Sequence, residues 1–230
     1  MLPNVIAIDG HSSTGKSSLA KRVAKTLGYV HIDTGAMYRA ISLFAIENNL
    51  ITVNELNQQK LISSLSGIDL DFEINELSGL NEIYLNGRNV EKEIRSMEVS
   101  GWVSQIAKIE EVRAFLVNLQ RRMAGKKGIV MDGRDIGTVV FPDAPVKIFL
   151  TANAATRANR RYQEIIAKGM ETSYEEVLSN IIERDFIDSN RSVSPLRKAD
   201  DAIEVNNDAM DREQTYERVM QIINEKLSNR

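Results

Sequence analysis

Short apolar runs alternate with amphipathic stretches along most of the chain. The apolar runs have the length and continuity of strands that are buried on both faces, and they lie at residues 5–8, 30–32, 128–132, 146–150 and 202–205. The amphipathic stretches have the spacing of helices, and they lie at residues 17–27, 36–49, 99–124, 154–168, 173–188 and 211–227. Strands that alternate with helices predict an α/β fold, with one parallel sheet covered by helices on both faces.

One segment has the two-residue period of antiparallel strands instead. Apolar residues occupy every second position over residues 68–74 and again over residues 83–85. Ser78-Gly79 favours a turn between these stretches, and Asn86-Gly87 is a strong hairpin signal. We therefore expect a small antiparallel β insert at about residues 63–96.

The composition suits a single domain over residues 1–230. A chain of 230 residues, 43% of them apolar, can bury one core of this kind. It contains no cysteine, so we expect neither disulfides nor a thiolate metal site. No run reaches the roughly 18 apolar residues of a membrane span, and a strand that starts at Val5 leaves no room for a signal peptide. We expect a cytoplasmic monomer without a membrane partner.

The charge distribution indicates small anions as ligands. A net charge of −3 argues against a general nucleic-acid binder, which usually carries a basic excess. Arginines nevertheless gather between Arg113 and Arg197. An acidic protein that concentrates arginines in this way is expected to use them on phosphates or carboxylates.

The segment between the first strand and the first helix has the pattern of a phosphate-binding loop. Residues 10–17 read Gly-His-Ser-Ser-Thr-Gly-Lys-Ser, which fits G-x-x-x-x-G-K-[ST] at every fixed position. Backbone N–H groups and the helix N-terminus would surround phosphate oxygens, and Lys16 would add a positive charge near the β- and γ-phosphates. A glycine-rich turn without a ligand is the alternative. The residues expected to bind ATP here are Gly10, His11, Ser12, Ser13, Thr14, Gly15, Lys16, Ser17 and Ser18.

Two residues near this loop are expected to serve Mg²⁺. The Ser17 hydroxyl is the natural ligand, with Ser18 as a close rival. Asp132 ends a buried strand, the usual place for a carboxylate that orients Mg²⁺ or its waters, although it could instead accept loop N–H groups. We interpret His11 as a solvent-facing spacer and His31 as structural.

Three further motifs lie downstream. Residues 33–39 read Asp-Thr-Gly-Ala-Met-Tyr-Arg, and residues 132–144 read Asp-Gly-Arg-Asp-Ile-Gly-Thr-Val-Val-Phe-Pro-Asp-Ala. The third runs from Glu183-Arg184-Asp185 through Asp188, Asn190 and Arg191 to Pro195. Together with the loop and the insert, they resemble bacterial cytidylate kinases over about residues 5–227. The Asn-Lys-x-Asp segment with which GTPases read guanine is absent from the sequence.

The resemblance implies a P-loop kinase that transfers the γ-phosphate of ATP to CMP or dCMP with Mg²⁺. The chain departs from the common pattern in the Ser-Ser-Thr of the loop, at Ser17 where many members have glycine, and at Thr34 where many have serine. These differences concern kinetics more than the reaction. A kinase for another small acceptor, such as UMP, AMP or shikimate, and a nucleotide-dependent switch or binding module remain alternatives.

The resemblance also implies an acceptor site. Arg39 and Arg134 would grip the CMP phosphate, Arg191 would help as the site closes, and Arg184 and Asp188 would contact the sugar. A surface ion pair is the alternative for Arg39 and for Arg134, and a plain i,i+4 ion pair is the alternative for Arg184 and Asp188. The full set expected to bind CMP is Thr34, Tyr38, Arg39, Ser104, Arg113, Arg134, Asp135, Arg184, Asp188 and Arg191.

Recognition of cytosine requires an acceptor for its N4 amino group. A carboxylate accepts from N4 of cytosine and repels O4 of uracil, so Asp135 is the best candidate. By resemblance, Arg113 and Ser104 would serve the N3 and O2 acceptors. We expect these two on one helix, nine residues apart. A helix-surface arginine and an ordinary helical serine are the alternatives.

The resemblance places a lid and its flanking helices at residues 154–195. The lid itself is expected to be short and centred near residues 168–172, with Gly169 as a hinge. Arg157 and Arg161 would pack on adenine and neutralise the transferring phosphoryl group, and a solvated basic face that includes Arg160 is the alternative. The expected catalytic residues are Lys16, Asp132, Arg134 and Arg161. A general base is unnecessary, because the second pKa of a phosphate monoester is about 6 and CMP is mostly dianionic at pH 7.

Overall fold

The computed structural model describes residues 5–52, 55–75, 80–124, 128–167 and 169–228. The chain divides into two compact units. We call residues 1–31 and 124–230 the sheet unit, and residues 32–123 the insert unit. The expected insert at residues 63–96 lies within the insert unit, and the expected lid at residues 154–195 lies within the sheet unit.

A five-stranded sheet forms the core of the sheet unit, although the last two residues of its strand β2 are counted with the insert unit. Its strands are β1 (Val5–Asp9), β2 (Val30–Asp33), β6 (Ile129–Gly133), β7 (Val146–Thr151) and β8 (Ile203–Asn206). They are ordered β2-β6-β1-β7-β8. The central strand β1 pairs in parallel with β6 and β7, and Ile8 lies opposite both Asp132 and Ile148. The carboxyl ends of β1 and β6 therefore meet at one edge of the sheet.

Both faces of this sheet are covered. Ile6, Ile8, Val130 and Ile148 lie in a buried cluster with helices α1 (Lys16–Leu27) and α8 (Arg212–Ser228). Neighbouring side chains of a strand point to opposite faces, and Val5, Ala7, Ile129 and Met131 are also fully buried or nearly so. Burial on both faces explains why the strands are continuous apolar runs instead of alternating ones.

Two consecutive helices of the sheet unit share a small core of their own. They are α6 (Ala154–Ala167) and α7 (Tyr174–Asn190). Ala158 and Ile165 of α6 pack with Val177 and Ile181 of α7. The α7 helix begins with a capping box, in which the Ser173 side chain accepts from the Glu176 N–H and the Glu176 carboxylate accepts from the Ser173 N–H.

The insert unit combines helices with a three-stranded antiparallel sheet. Its helices are α2 (Thr34–Glu47), α3 (Gln58–Ser64), α4 (Met97–Ile106) and α5 (Glu110–Met123), and its strands are β3 (Leu70–Asn75), β4 (Leu80–Leu85) and β5 (Arg88–Asn89). Asn86 and Gly87 have φ angles of 49° and 76° and join β4 to β5, as their sequence predicted. The turn predicted at Ser78-Gly79 lies outside the described residues.

The prediction of one helix over residues 99–124 is wrong. The segment forms α4 and α5, which are separated by residues 107–109. Ala107 and Ile109 are buried at the break, and Arg113 Nη1 donates to the carbonyl oxygen of Ala107 at 3.3 Å. This bond satisfies a carbonyl that the helix end releases. Ser104 and Arg113 therefore lie on different helices, in contrast to our expectation, and α3 was not predicted at all.

The α/β prediction is confirmed, with a parallel sheet, helices on both faces and a small antiparallel sheet. Within the residues that the structure describes, no helix is both long and apolar enough to cross a membrane.

Candidate active site

The phosphate-loop segment connects β1 to α1 through left-handed turns. Gly10 has a φ of 152°, and a Cβ at this position would collide with the carbonyl oxygen of Leu150. Ser13 and Gly15 also have positive φ angles, of 60° and 87°, and Gly15 is the residue before the first turn of α1. A loop of this kind at a helix N-terminus forms a concavity that is suited to anions.

Side chains support the backbone of this loop. Lys16 Nζ and Thr14 Oγ1 donate to the carbonyl oxygen of His11 at 3.1 and 3.0 Å. Asn207, which follows β8, donates through Nδ2 to the Thr14 carbonyl oxygen at 3.0 Å. The loop is thus held by its own helix and by the end of another strand. Asn207 was not identified from the sequence, because its partner lies 193 positions away.

Asp132 joins the first turn of α1 to β2. Its Oδ2 accepts from Ser17 Oγ at 2.6 Å, and its Oδ1 lies 2.8 Å from His31 Nε2. The Asp132 side chain is 1% exposed. Ser18, the rival of Ser17, is exposed. His31, which the sequence indicated only as structural, therefore contacts Asp132, one of the two residues expected to serve the metal.

The side-chain oxygens of Ser17 and Asp132 are suitable ligands for Mg²⁺. A hydroxyl and a carboxylate are hard oxygen ligands of the type that this ion prefers. Among the described residues, no group of three or more histidines, aspartates or glutamates could hold a metal ion. An Mg²⁺ ion held through Ser17 and Asp132 would therefore need further oxygens from bound phosphates and water, as is usual for nucleotide-bound Mg²⁺.

A second buried carboxylate, that of Asp9, supports the segment after β6. Its two oxygens accept from the N–H groups of Ile136 and Gly137, each at 2.8 Å. Burial raises the pKa of Asp9 to about 7, and the charge of Asp135 adds to this effect while the two N–H donors and Lys16 oppose it. These bonds hold a single π-helical turn, Ile136–Val140, directly after Arg134 and Asp135. Asp9 was not singled out from the sequence.

The arginines predicted at the acceptor site form a cluster with two aspartates. Arg134 Nε donates to Asp188 Oδ2 at 2.7 Å, and Arg191 Nη2 lies 4.0 Å from Asp135 Oδ1. Burial would raise the pKa of Asp188, but the positive charges of Arg134, Arg191 and Arg184 hold it below its usual range.

Arg184 has the opposite surroundings. Burial and the positive charge of Arg134 lower its pKa, and its Nε is buried without a hydrogen-bond partner among the described residues. Two adjacent, poorly solvated guanidinium groups favour an anion nearby. The alternative of surface ion pairs does not describe this cluster, because Arg191 and Asp188 are buried.

The three arginines of α6 have different surroundings. Arg157 is 3% exposed, and its guanidinium pairs with Asp185 through two bonds, of 3.0 and 2.5 Å. Arg160 donates to the side chain and the backbone of Asn207. Arg161, whose side chain is 39% exposed, lies 3.4 Å from Glu164. The alternative of a solvated basic face is therefore wrong for Arg157.

His11 is not the solvent-facing spacer that we expected. Its side chain is 23% exposed, and its Nδ1 lies 3.1 Å from Asp185 Oδ1. The contact depends on α7 reaching the loop, which no local pattern around His11 indicates. Asp185, like Asp9 and Asn207, is a residue of the loop region that the sequence interpretation left without a role.

The insert unit contains the other expected acceptor residues. Arg39 Nη1 donates to Ser100 Oγ on α4 at 2.6 Å, and Ser104 lies one turn further along the same helix. Arg113 is 2% exposed, with its guanidinium carbon 5.5 Å from the centroid of the Tyr38 ring. The alternative of a helix-surface arginine is thus wrong for Arg113. Thr34 is buried in the first turn of α2.

Each unit thus brings together its own part of the expected site. The sheet unit contains the loop, Asp132, Arg134, Asp135, Arg157, Arg161, Arg184, Asp188 and Arg191, and the insert unit contains Thr34, Tyr38, Arg39, Ser104 and Arg113. The roles of these residues remain predictions.

Known proteins resemble this chain over nearly its full length. The family model for cytidylate kinase matches residues 6–225. A cytidylate kinase of Flavobacterium johnsoniae is 54% identical over 220 residues, which cover 96% of this chain and 96% of that protein. One of Flavobacterium psychrophilum is 55% identical over 219 residues, 95% of this chain and 97% of that protein. One of Parabacteroides distasonis is 54% identical over 210 residues, 91% of this chain and 92% of that protein. The matched region runs from β1 into α8, and the chain belongs to the cytidylate kinase family.

Proposed function

We propose that this protein transfers the γ-phosphate of ATP to CMP or dCMP. The observation that carries the proposal is the placement of the Arg134, Arg184 and Asp188 cluster in the same unit as a phosphate loop whose Ser17 binds Asp132. A phosphate loop by itself would be compatible with any protein that binds a nucleoside triphosphate. A cluster of half-buried arginines in the same unit as that loop suits a protein that brings a second anion to the nucleotide.

The donor is held by residues 10–18. Loop N–H groups and the N-terminus of α1 bind the phosphates, and Lys16 neutralises charge as the terminal phosphoryl group is transferred. Ser17 directly and Asp132 through water would hold Mg²⁺, which would supply positive charge to the phosphates. Arg157 acts from behind the loop, where its Nη1 lies 3.3 Å from the Ser12 carbonyl oxygen. Arg161, the more exposed arginine, acts on the transferring group.

The acceptor needs orientation and charge neutralisation, not a base. A phosphate oxygen of dianionic CMP forms the new bond to the γ-phosphorus, while the bond from that phosphorus to the bridging oxygen breaks and its electron pair leaves with ADP. Arg39, Arg134 and Arg191 bind the CMP phosphate. Arg184 and Asp188 bind the sugar, and the CMP phosphate that Arg134 binds supplies the negative charge that the neighbouring Arg184 favours.

The base is read by a carboxylate. Asp135 accepts a hydrogen bond from N4 of cytosine, and the same carboxylate would repel O4 of uracil. Arg113 and Ser104 donate to the N3 and O2 acceptors, with Tyr38 and Thr34 as neighbours. The buried position of Asp135 strengthens this discrimination, because an unmatched acceptor there would find no water to satisfy it.

The lid closes over the donor and excludes water. We assign the lid and its flanking helices to residues 154–195 within a single kinase domain of residues 1–230, with the movement centred near residues 168–172 and residues 63–96 as the acceptor-side insert. Gly169, with a φ of 73°, has the freedom that a hinge requires. Excluding water limits hydrolysis of ATP in the absence of an acceptor. The protein acts as a cytoplasmic monomer.

A coupled assay of ADP release tests the proposal. With ATP and Mg²⁺, CMP and dCMP should be phosphorylated much faster than UMP, AMP or shikimate. Lys16→Ala should lower turnover by at least about 10²-fold, because it removes a charge that is directed at the transferring group. Lys25→Ala, on the exposed side of the same helix, is the matched control. Equal rates with all acceptors would disprove the cytidylate assignment, and full activity of Lys16→Ala would disprove the role of the loop.

A further inference from the structure

Asp185 of α7 is the meeting point of two other segments. Its Oδ1 lies 3.1 Å from Nδ1 of His11, which belongs to the phosphate loop. The same carboxylate accepts from both terminal nitrogens of Arg157, in the first turn of α6, at 3.0 and 2.5 Å. A bidentate pair of this kind restricts both distance and orientation. The side chain therefore fixes α7 against the loop and against α6.

Arg157 extends this contact to the loop backbone. Its Nη1 donates to the Ser12 carbonyl oxygen at 3.3 Å, and its Nε donates to the Ala152 carbonyl oxygen, after β7, at 2.8 Å. The Arg157 side chain is almost fully buried. A buried guanidinium without its carboxylate would be costly, so loss of Asp185 should displace Arg157 and with it Ser12.

The ionised form of Asp185 is the one that these contacts select. Burial would raise the pKa of Asp185, but its bonds to His11 and Arg157 outweigh burial and hold the pKa below its usual range. The carboxylate is thus charged at neutral pH, where its charge-assisted bonds are strongest.

The same helix carries the residues assigned to the acceptor. Arg184 precedes Asp185, and Asp188 follows it by three residues, close to one turn of helix. Asp188 in turn accepts from Arg134. A shift or rotation of α7 that moved Asp185 relative to the loop would also move Arg184 and Asp188. The loop and the acceptor cluster therefore share one rigid element.

We propose that Asp185 is a positioning residue that couples the phosphate loop to the acceptor-binding residues of α7. Binding of ATP stabilises the loop conformation in which His11 and Arg157 hold Asp185, and this keeps α7 in the position that presents Arg184 and Asp188 to CMP. Each nucleotide consequently tightens the binding of the other. The inference deepens the proposed function and rests on it.

The test is the affinity for CMP, measured by calorimetry with and without a saturating, non-hydrolysable ATP analogue and Mg²⁺. In the wild type, the analogue should tighten CMP binding by about 5-fold or more, the lower end of typical coupling between sites. In Asp185→Asn, which keeps the size of the side chain but loses its charge, this factor should fall towards one. Glu183→Gln makes the same change at an exposed position two residues earlier and should keep the wild-type factor.

A second variant separates coupling from misfolding. His11→Ala removes one contact of Asp185 and leaves the Arg157 pair, so it should lower the coupling factor in part and have little further effect in the double variant with Asp185→Asn. Unchanged melting of each variant establishes that it folds. A wild-type factor of one, or an unchanged factor in Asp185→Asn, would overturn the inference. Failure of the wild type to bind or phosphorylate CMP would instead overturn the proposed function.

Discussion

Single residues around the phosphate loop show how buried charge is arranged in this protein. The chain has two histidines, and each contacts an aspartate beside the loop. His31 lies against Asp132, 101 positions away, and His11 lies against Asp185. Removing a charge from water costs free energy unless the charge has a partner. These aspartates can therefore be buried only where the fold supplies hydrogen-bond donors to their carboxylates.

Base selectivity is a property of one carboxylate. We expect Asp135→Ala to reduce the discrimination between CMP and UMP by about 1–3 kcal/mol, because the variant loses the acceptor for N4 of cytosine. The measurement is the ratio of kcat/KM for the two nucleotides. Asp143→Ala, at an exposed position of the same motif, should leave this ratio unchanged. An equal loss on both nucleotides would identify Asp135 as structural.

Asp9 should make stability depend on pH. Its pKa is about 7 in the folded protein and 3.8 without burial, so the folded state binds the extra proton between these values. The contribution of Asp9 to stability is complete below about pH 4 and is lost as the pH rises through 7, with a slope of at most about 1.4 kcal/mol per pH unit.

Urea denaturation between pH 4.5 and 7.5 can measure this effect. Asp9→Asn has no such ionisation and should lose this downward slope, whatever its stability at a single pH. Asp185 and Asp188 have lowered pKa values, so their contribution changes with pH mainly below about pH 4, outside this window. The quantity of interest is the difference in slope between Asp9→Asn and the wild type. Parallel curves for the two proteins would show that Asp9 does not titrate in this window.

At the level of helices and strands, the ends of elements decide where site residues lie. The carboxyl ends of β1 and β6 place the loop and Asp132 at one edge, as parallel pairing requires. The break between α4 and α5 depends on the Arg113 bond to Ala107 and on buried apolar residues at 106–109. Helical periodicity continues through such a break, which is why residues 99–124 were predicted as one helix.

The start of α7 is a second determinant at this scale. We expect Ser173→Ala to destabilise the first turn of α7 by about 1 kcal/mol, because the N–H of Glu176 loses its acceptor. Hydrogen exchange of the amides at 174–178 should accelerate accordingly. Ser179→Ala makes the same change at an exposed position within the helix and should not accelerate it, since alanine favours helix. Equal exchange in the two variants would argue against the capping role.

Across the whole molecule, the expected nucleotide contacts divide by unit. The ATP residues all belong to the sheet unit, whereas the CMP residues belong to both units. The family match over residues 6–225 includes both. The proposed reaction therefore requires the sheet unit to bind both nucleotides and the insert unit to bind CMP.

Hydrogen exchange with each ligand can test this division. A non-hydrolysable ATP analogue should slow exchange around residues 10–18 of the sheet unit, because binding to the folded state suppresses local opening. CMP should slow exchange near Arg39 and Arg113 of the insert unit and near Arg134 and residues 184–191 of the sheet unit. Orotate, an anionic pyrimidine without sugar or phosphate, is the control. Protection by CMP in the sheet unit alone would contradict the assignment of Arg39 and Arg113.

The sequence by itself determined the features that depend on neighbours along the chain. The phosphate loop is readable because its glycines, lysine and serine act over eight consecutive positions between a strand and a helix. The strands can be predicted because burial on both faces demands continuous apolar runs. The hairpin can be predicted because Asn86-Gly87 suits positive φ angles.

Only the tertiary structure decided which distant groups became partners. Asp185 meets His11 and Arg157, and Asp9 supports the turn after Asp135, each across a chain separation that no local pattern encodes. The physical reason is that a buried charge needs a partner in space, and the fold alone determines which donor or acceptor is near. The phosphate loop could therefore be predicted from its own residues. Its contact with α7 could not, because it depends on how α6, α7 and the sheet pack together.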